Sequence, residues 1–306
     1  MELALKYRPS KLSQVIGQPE VVQQLRSWHK EKKVPHATIY TGPPGCGKTT
    51  LARIMARLVG GLSLDVQEIN SADFKGIETA RGLLRVMNQS PMYGAARVFV
   101  LDEMHKLTSD SQTAMLKALE EPPSWVYWML CTTDPSKVID AIHTRCTQVK
   151  VSLIAADVMT SHLDAIATSE GMTLLPEVRD KIVEASEGSM RRALVLLQSI
   201  DTTQPEEAQL AIIRKSDHKV LGIDIARALM KYPKPSWTDI AALLKGEIDE
   251  AESVRRVVLA YATSVMLKNA KGAARCASII DRFYNNFYDS GKAGLALACW
   301  EVCNGD

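Results

Sequence analysis

The segment Gly42-Pro43-Pro44-Gly45-Cys46-Gly47-Lys48-Thr49, followed by Thr50, is a complete GxxxxGK[ST] loop. Glycines at this spacing let backbone N–H groups turn inward around phosphate oxygens, so the chemistry on offer is nucleoside triphosphate binding. Lys48 is the cation for the β- and γ-phosphates, and the Thr49 hydroxyl is a ligand for Mg2+. ATP and Mg2+ are the expected cofactors. A second motif, Val98-Phe99-Val100-Leu101-Asp102-Glu103, ends an apolar run in two acids. Asp102 there is placed to hold the hydrated metal ion, and Glu103 to polarise an attacking water. Taken singly, these are also a glycine-rich turn before an ordinary helix and a strand ending in solvated acids. Together they argue for hydrolysis as well as binding. A third run, Met129-Leu130-Cys131-Thr132-Thr133-Asp134-Pro135, turns polar where a buried strand stops, so Thr132 is a candidate partner for the γ-phosphate or the water.

These groups need a scaffold that brings three strand ends together. Short β-branched runs at Thr38–Thr41, Val66–Asn70, Val98–Leu101 and Tyr127–Cys131 predict strands, with Gln148–Val151 a plausible fifth. Helical patterns lie between them at Lys48–Leu58, Ile77–Met87 and Ser111–Glu120. Such alternation predicts an α/β fold with a parallel sheet covered on both faces. From Ala155 onward the strand signal vanishes. Residues 155–200 read as three short amphipathic helices broken near Gly171, Pro176 and Gly188. Residues 206–303 read as helices broken at Pro233–Pro235 and Asn269–Gly272. The expected domains are a P-loop motor (1–153), a small helical lid (154–204) and a helical C-terminal domain (205–306).

The whole chain bounds these readings. Its 306 residues exceed one small core, and 46% hydrophobic with 24% charged content is ordinary for a globular protein. No apolar run approaches the roughly 18 residues of a membrane span, and the N-terminus lacks a secretory pattern. A cytoplasmic protein with no membrane partner is expected. The net charge of +2 does not advertise nucleic acid, so any DNA contact must come from local placement of Lys and Arg. None of the six cysteines forms a CxxC pair. Cys299 and Cys303, four apart in an apolar stretch, read as one face of a buried helix.

Several further segments carry a family resemblance. Lys6-Tyr7-Arg8-Pro9 and Val15-Ile16-Gly17-Gln18 resemble the opening of AAA+ clamp-loader subunits. Asp102-Glu103-Met104-His105-Lys106-Leu107, Leu116-Lys117-Ala118-Leu119-Glu120-Glu121-Pro122-Pro123 and Cys131-Thr132-Thr133-Asp134-Pro135 are similar to the γ/τ subunit of bacterial DNA polymerase III. Thr144-Arg145-Cys146 is similar to that family's Ser-Arg-Cys motif, with Thr for Ser. Gly188-Ser189-Met190-Arg191-Arg192-Ala193-Leu194 resembles its sensor 2, and equally that of replication factor C small subunits. The likeness covers about residues 4–200; the last third matches only in being helical. The γ/τ pattern carries a four-cysteine zinc module after the P-loop helix. This chain has none and runs through Gly60-Gly61 to the next strand, as in replication factor C or a bacteriophage loader subunit.

The resemblance implies an ATPase that opens a sliding clamp and closes it on primer–template DNA. Tyr7, Arg8, Val15 and Ile16 are then expected on the adenine side, with Thr132 as sensor 1. Arg191 is expected to contact the γ-phosphate, and Arg145 to reach as an arginine finger into a neighbouring subunit's ATP. Its partners would be the clamp, primed DNA, further copies and a non-identical subunit in a pentamer, held by a C-terminal collar. Lys75 and Arg81, beside a helix start near Gly76, are the expected DNA contacts. Gln112 is a candidate relay from DNA to Glu103. In the segment Val86–Gly94, Met92 and Tyr93 are expected to plug a pocket on the clamp. Two other readings stand beside this one, a Holliday-junction or fork-maintenance motor and a non-hydrolysing brace. The Leu-Glu-Glu-Pro-Pro and Thr-Arg-Cys segments speak against the first, and the intact P-loop and acid pair against the second.

Overall fold

Among the described residues, five strands form one parallel sheet: β1 (Ala37–Thr41), β2 (Val66–Asn70), β3 (Arg97–Asp102), β4 (Val126–Thr132) and β5 (Thr147–Lys150). Their order is β2-β3-β4-β1-β5, so the ends of β3, β4 and β1 lie side by side. The computed structural model describes residues 2–71, 77–216, 218–231, 235–245, 248, 250–268 and 273–304. The side chains of 77–81, 214–216, 218–220 and 268 also fall outside that description. The expected breaks at Pro233–Pro235 and Asn269–Gly272 lie largely or wholly outside the described residues.

The chain divides into two units, Met1–Ile166 with Ser186–Val195, and Ala167–Ala185 with Leu196–Asp306. Helices α1 (Leu3–Lys6), α2 (Pro19–Lys30), α3 (Lys48–Leu58), α4 (Ile77–Met87), α5 (Ser109–Glu120) and α6 (Asp140–Arg145) belong to the first unit. Helices α7 (Ala156–Ser169), α8 (Pro176–Ser186) and α9 (Met190–Ser199) follow, shared between the two.

The sheet holds because its strands are apolar on both faces. Along β3, Val98 and Val100 join a core with Leu25, Leu51, Ile54 and Met55 from α2 and α3. The alternate residues Phe99 and Leu101 join the opposite core with Met115 and Leu119 of α5 and Ile142 of α6. Each fully buried side chain of this size contributes about 1.5–3 kcal/mol, so the strand is pinned from both sides. Phe99 stacks on Trp128 of β4 with ring centroids 4.4 Å apart.

Most elements fall where the periodicity places them, and α3 and α4 match residue for residue. Helix α5 starts two residues before the expected Ser111, because the Thr108 side chain accepts from Ser111 N–H and caps the helix there. Strand β5 sits one residue earlier than Gln148–Val151, although Val151 N–H still donates to Thr41 O at 2.8 Å.

The second unit carries α10 (Glu206–Ser216), α11 (His218–Leu229), α12 (Trp237–Leu243), α13 (Ala251–Lys268), α14 (Ala273–Arg282) and α15 (Gly291–Asn304). Ile225, Leu229, Val254, Val258, Phe283 and Leu295 are among its core residues. Cys299 and Cys303 lie on the buried face of α15, and all six cysteines are buried and outside any disulfide. Glu252 is a buried acid in this apolar setting. Burial alone would raise its pKa, but the Arg255 guanidinium at 2.6 Å and Phe287 N–H at 2.8 Å hold it below the usual range. Among the described residues, no helix is long and apolar enough to cross a membrane.

Candidate nucleotide site

The P-loop leaves β1 and turns into α3. Its shape depends on glycine: a Cβ at Gly42 would lie 2.0 Å from Val151 O, and one at Gly45 would lie 2.0 Å from Ser189 Oγ. Both have positive φ, which glycine adopts without steric cost. Lys48, the first residue of α3, is buried and donates from Nζ to Gly42 O at 2.9 Å and Pro43 O at 2.7 Å. The ammonium is thus seated inside the loop. Backbone N–H groups at the start of α3 add the positive end of the helix to the same spot.

Thr49 and Asp102 come together from two elements. Thr49 Oγ1 donates to Asp102 Oδ2 at 2.8 Å, and Asp102 Oδ1 accepts from Glu103 N–H at 3.0 Å. A hydroxyl and a carboxylate side by side are hard oxygen donors, the set that suits Mg2+ with water completing its shell. Among the described residues, no group of three or more His, Cys, Asp or Glu side chains is arranged to hold a metal ion.

Glu103 follows the end of β3 with φ of 53°, in the left-handed region, and lines the cavity with a side chain 30% exposed. Its Oε2 accepts from Thr133 Oγ1 at 3.3 Å and meets His105 Nε2 at 3.3 Å. Thr132, the last residue of β4, is fully buried, and its hydroxyl accepts from Asp134 N–H at 3.1 Å. Of the threonine pair it is Thr133 that lines the cavity, with Thr132 beneath it. Gln112 is buried as well. It donates to Leu107 O and Lys137 O at 3.0 and 3.1 Å and accepts from Ile139 N–H at 2.9 Å, tying α5 to the segment after β4.

The cavity measures about 300 Å3, and all of its lining belongs to the first unit. Tyr7, Arg8, Val15 and Ile16 form one side together with Ile154, and Pro44 through Thr50 form the floor. The N-terminal arm is held by Gln18, whose amide donates to Ser152 O and accepts from Ser152 N–H at 3.2 Å. Arg8 Nε donates to Thr50 Oγ1 at 3.1 Å. Burial first, then the neighbouring Arg53 and Arg191, lower the Arg8 pKa, while Glu68 and Asp102 oppose them. Arg8, Lys48 and Arg191 are cations of the cavity lining. Helix α9 starts behind Ser189, whose Oγ accepts from Arg192 N–H at 3.4 Å, and this start carries Arg191 to the cavity wall beside Gly45.

The remaining candidates lie elsewhere. Arg145 ends α6 and donates from Nε to Glu120 at 3.0 Å and from Nη1 to Ala141 O at 3.0 Å, away from its own cavity. Met92 and Tyr93 stand 74% and 61% exposed before the start of β3. Lys75 lies outside the described residues; Arg81 is on α4, with its side chain outside them too. Sequence reasoning missed His162, which lines the cavity from α7, and Thr133. Burial lowers the His162 pKa. Its only trace in the sequence is a titratable residue on an otherwise apolar helix face.

The comparisons with known proteins agree with this geometry. A family model described as DNA polymerase III, delta subunit, matches residues 57–154. The DNA polymerase III subunit tau/gamma of Haemophilus influenzae is 32% identical over 215 residues, which cover 63% of this chain and 31% of that protein. The replication factor C small subunit of Aeropyrum pernix is 30% identical over 264 residues, 85% of this chain and 77% of the relative. That of Methanococcus maripaludis is 33% identical over 218 residues, 69% of each. The chain thus spans only 31% of the tau/gamma length but most of a replication factor C small subunit. Among solved structures, the Thermotoga maritima RuvB Holliday junction branch migration motor aligns with a TM-score of 0.61 at 19% identity, over 84% of this chain and 91% of that one. At such identity the likeness speaks for the AAA+ fold. With a relative of 33% identity covered over 69% of its length, the chain belongs to the AAA+ clamp-loader ATPase family that includes the replication factor C small subunits.

Proposed function

We propose that this chain is the ATPase subunit of a sliding-clamp loader, using ATP binding and hydrolysis to open the clamp and place it on primer–template DNA. The observation that carries this reading is the convergence, on one cavity, of the P-loop, the Asp102-Glu103 pair and Arg191 with the N-terminal arm. The arm presents an apolar wall with Tyr7 for the base, and P-loop N–H groups and Lys48 bind the phosphates. Thr49 and Asp102 would hold Mg2+, which supplies charge neutralisation on the β- and γ-phosphates. Glu103 orients and polarises the attacking water, Thr133 and Arg191 set the γ-phosphate end, and the buried Thr132 supports them from the end of β4. Arg145 serves the neighbouring subunit's nucleotide, so hydrolysis depends on assembly.

In this reading residues 1–153 are the motor, 154–204 the lid and 205–306 the oligomerisation collar. Lys75 and Arg81 face DNA, and Met92 and Tyr93 dock on the clamp, whereas the buried Gln112 braces α5 against the segment after β4 and is no DNA relay. The assembly is a pentamer of self copies with a non-identical subunit. It works where the DNA is replicated, the cytoplasm for a bacterial or bacteriophage protein. The test is ATP turnover with and without cognate clamp and primed DNA, over a range of protein concentrations. Turnover should rise with both additions, and per-subunit activity should rise with concentration. Turnover indifferent to clamp, DNA and concentration would overturn the reading.

A further inference from the structure

We propose that His105 is a positioning residue, which ties the water-polarising Glu103 to the buried Thr132 at the end of β4 through its two ring nitrogens. The inference rests on Glu103 being the base. His105 lies in a short 3-10 turn, Met104–Lys106, that starts next to Glu103, and it is 7% exposed. Nδ1 is 3.1 Å from Thr132 Oγ1, and Nε2 is 3.3 Å from Glu103 Oε2. A surface histidine beside an acid would be unremarkable. A buried one that bridges two strand ends at the cavity needs an account of its protons.

The donors and acceptors fix the tautomer. Ionised Glu103 only accepts, so Nε2 must carry the hydrogen that faces it. Nδ1 is then a lone pair, which the Thr132 hydroxyl can fill, since its oxygen already accepts from Asp134 N–H at 3.1 Å. The result is a directed chain: Asp134 N–H to Thr132 O–H to His105 Nδ1, then His105 Nε2–H to Glu103. Burial lowers the proton affinity of the ring, with Glu103 and Asp134 opposing, and this favours the neutral form that the chain requires.

The consequence is positional. Thr133 and His105 both donate to Oε2 of Glu103, which leaves Oε1 for the water. Asp134 O is a second acceptor 3.1 Å from the Thr132 hydroxyl, so that hydroxyl has an alternative to Nδ1. That hydroxyl is buried beneath the cavity-lining Thr133, so the ring fixes Glu103 to the framework at the end of β4. The base and Thr133, which also donates to it, are then held as one unit.

Two substitutions in the full chain separate the two arms of the ring. The amide of His105→Asn falls near Nδ1 and reaches Thr132 alone, whereas that of His105→Gln falls near Nε2 and reaches Glu103. His105→Asn is expected to lower turnover at saturating ATP by about 10–100-fold, the scale of a misplaced reacting group. ATP affinity should stay within about twofold and the unfolding midpoint within a few degrees. His105→Gln should keep at least about a third of wild-type turnover. Glu103→Gln is measured alongside. Wild-type turnover in Glu103→Gln would remove the base and the inference with it. A slow Glu103→Gln beside an unimpaired His105→Asn would overturn the His105 role alone. Equal loss in His105→Asn and His105→Gln, or loss of ATP affinity and thermal stability together with turnover, would make His105 a core filler and also overturn it.

Discussion

The two ends of the same sheet are built on opposite plans. At the carboxyl ends of β1, β3 and β4, side chain bonds to side chain: Thr49 to Asp102, Thr133 to Glu103, and His105 to both Thr132 and Glu103. At the amino ends of β2 and β3, one buried carboxylate holds backbone. Asp65 accepts from the N–H groups of Met92, Tyr93 and Gly94 at 2.6, 2.9 and 2.7 Å. The side chains there are left outside, with Leu62, Leu64, Met92 and Tyr93 all exposed. Chemistry needs every reacting atom fixed, so its side chains are tied. A docking surface needs a firm backbone and apolar area, so its side chains stay open and its loop is tied instead.

The contrast can be broken first at the catalytic end. Lys48→Ala should abolish productive nucleotide engagement, read as loss of ATP binding and turnover, since the buried cation of the loop is gone. Arg145→Ala should reduce turnover by about 10³-fold, the lower end for arginine fingers, while each subunit still binds ATP. Mixing Arg145→Ala with Glu103→Gln subunits should recover activity wherever an intact Arg145 meets an intact Glu103. No recovery at any mixing ratio would place Arg145 in its own subunit's site. Glu103→Gln alone should hold ATP with near-normal affinity and turn over about 10²-fold more slowly.

At the other end the effects should be smaller and of another kind. Replacing Met92 and Tyr93 together with Ser should weaken clamp affinity roughly tenfold, the scale of interface side chains worth more than 1 kcal/mol. Basal turnover and thermal stability should hardly change, because these side chains are exposed. A parallel loss of stability would return them to the core. Asp65→Asn should cost a few degrees of unfolding midpoint and loosen the loop. Burial alone would raise the Asp65 pKa, but the N–H groups of Met92, Gly94 and Tyr93, with Arg97 nearby, bring it below the usual value. Its stabilisation is therefore present above the ordinary carboxylate range and lost as pH falls through the depressed folded pKa. The melting curves of wild type and Asp65→Asn should converge in acid and separate at neutral pH.

How much was legible in advance follows the same division. The P-loop and the acid pair are contiguous in sequence because each is the end of one strand, and their roles follow from residue type alone. The strand alternation and the helical runs were legible for the same local reason. Thr133, His105 and His162 were not, because their roles come from neighbours up to dozens of residues away in sequence. The Thr132-Thr133 pair shows the limit: a strand's twofold alternation sends one threonine inward and the next to the cavity, and a one-residue ambiguity in the strand end hides which. Gln18 is a similar case. Its tie to Ser152 spans 134 residues, and only the resemblance of Val15-Ile16-Gly17-Gln18 pointed toward the segment.

The backbone at Glu103 bears on what selection for robustness would do to this chain. A non-glycine residue at φ of 53° carries a steric cost, on the order of 1–3 kcal/mol. Asn and Gly tolerate that conformation better, so Glu103→Asn and Glu103→Gly relieve the cost while removing the carboxylate that serves the water. Where that relief exceeds what the lost bonds from Thr133 and His105 contributed, the variant melts above the wild type while hydrolysing ATP far more slowly. A campaign that ranked variants of this chain by heat resistance would in that case enrich the inert ones, and the native glutamate would persist only under a screen that counts turnovers.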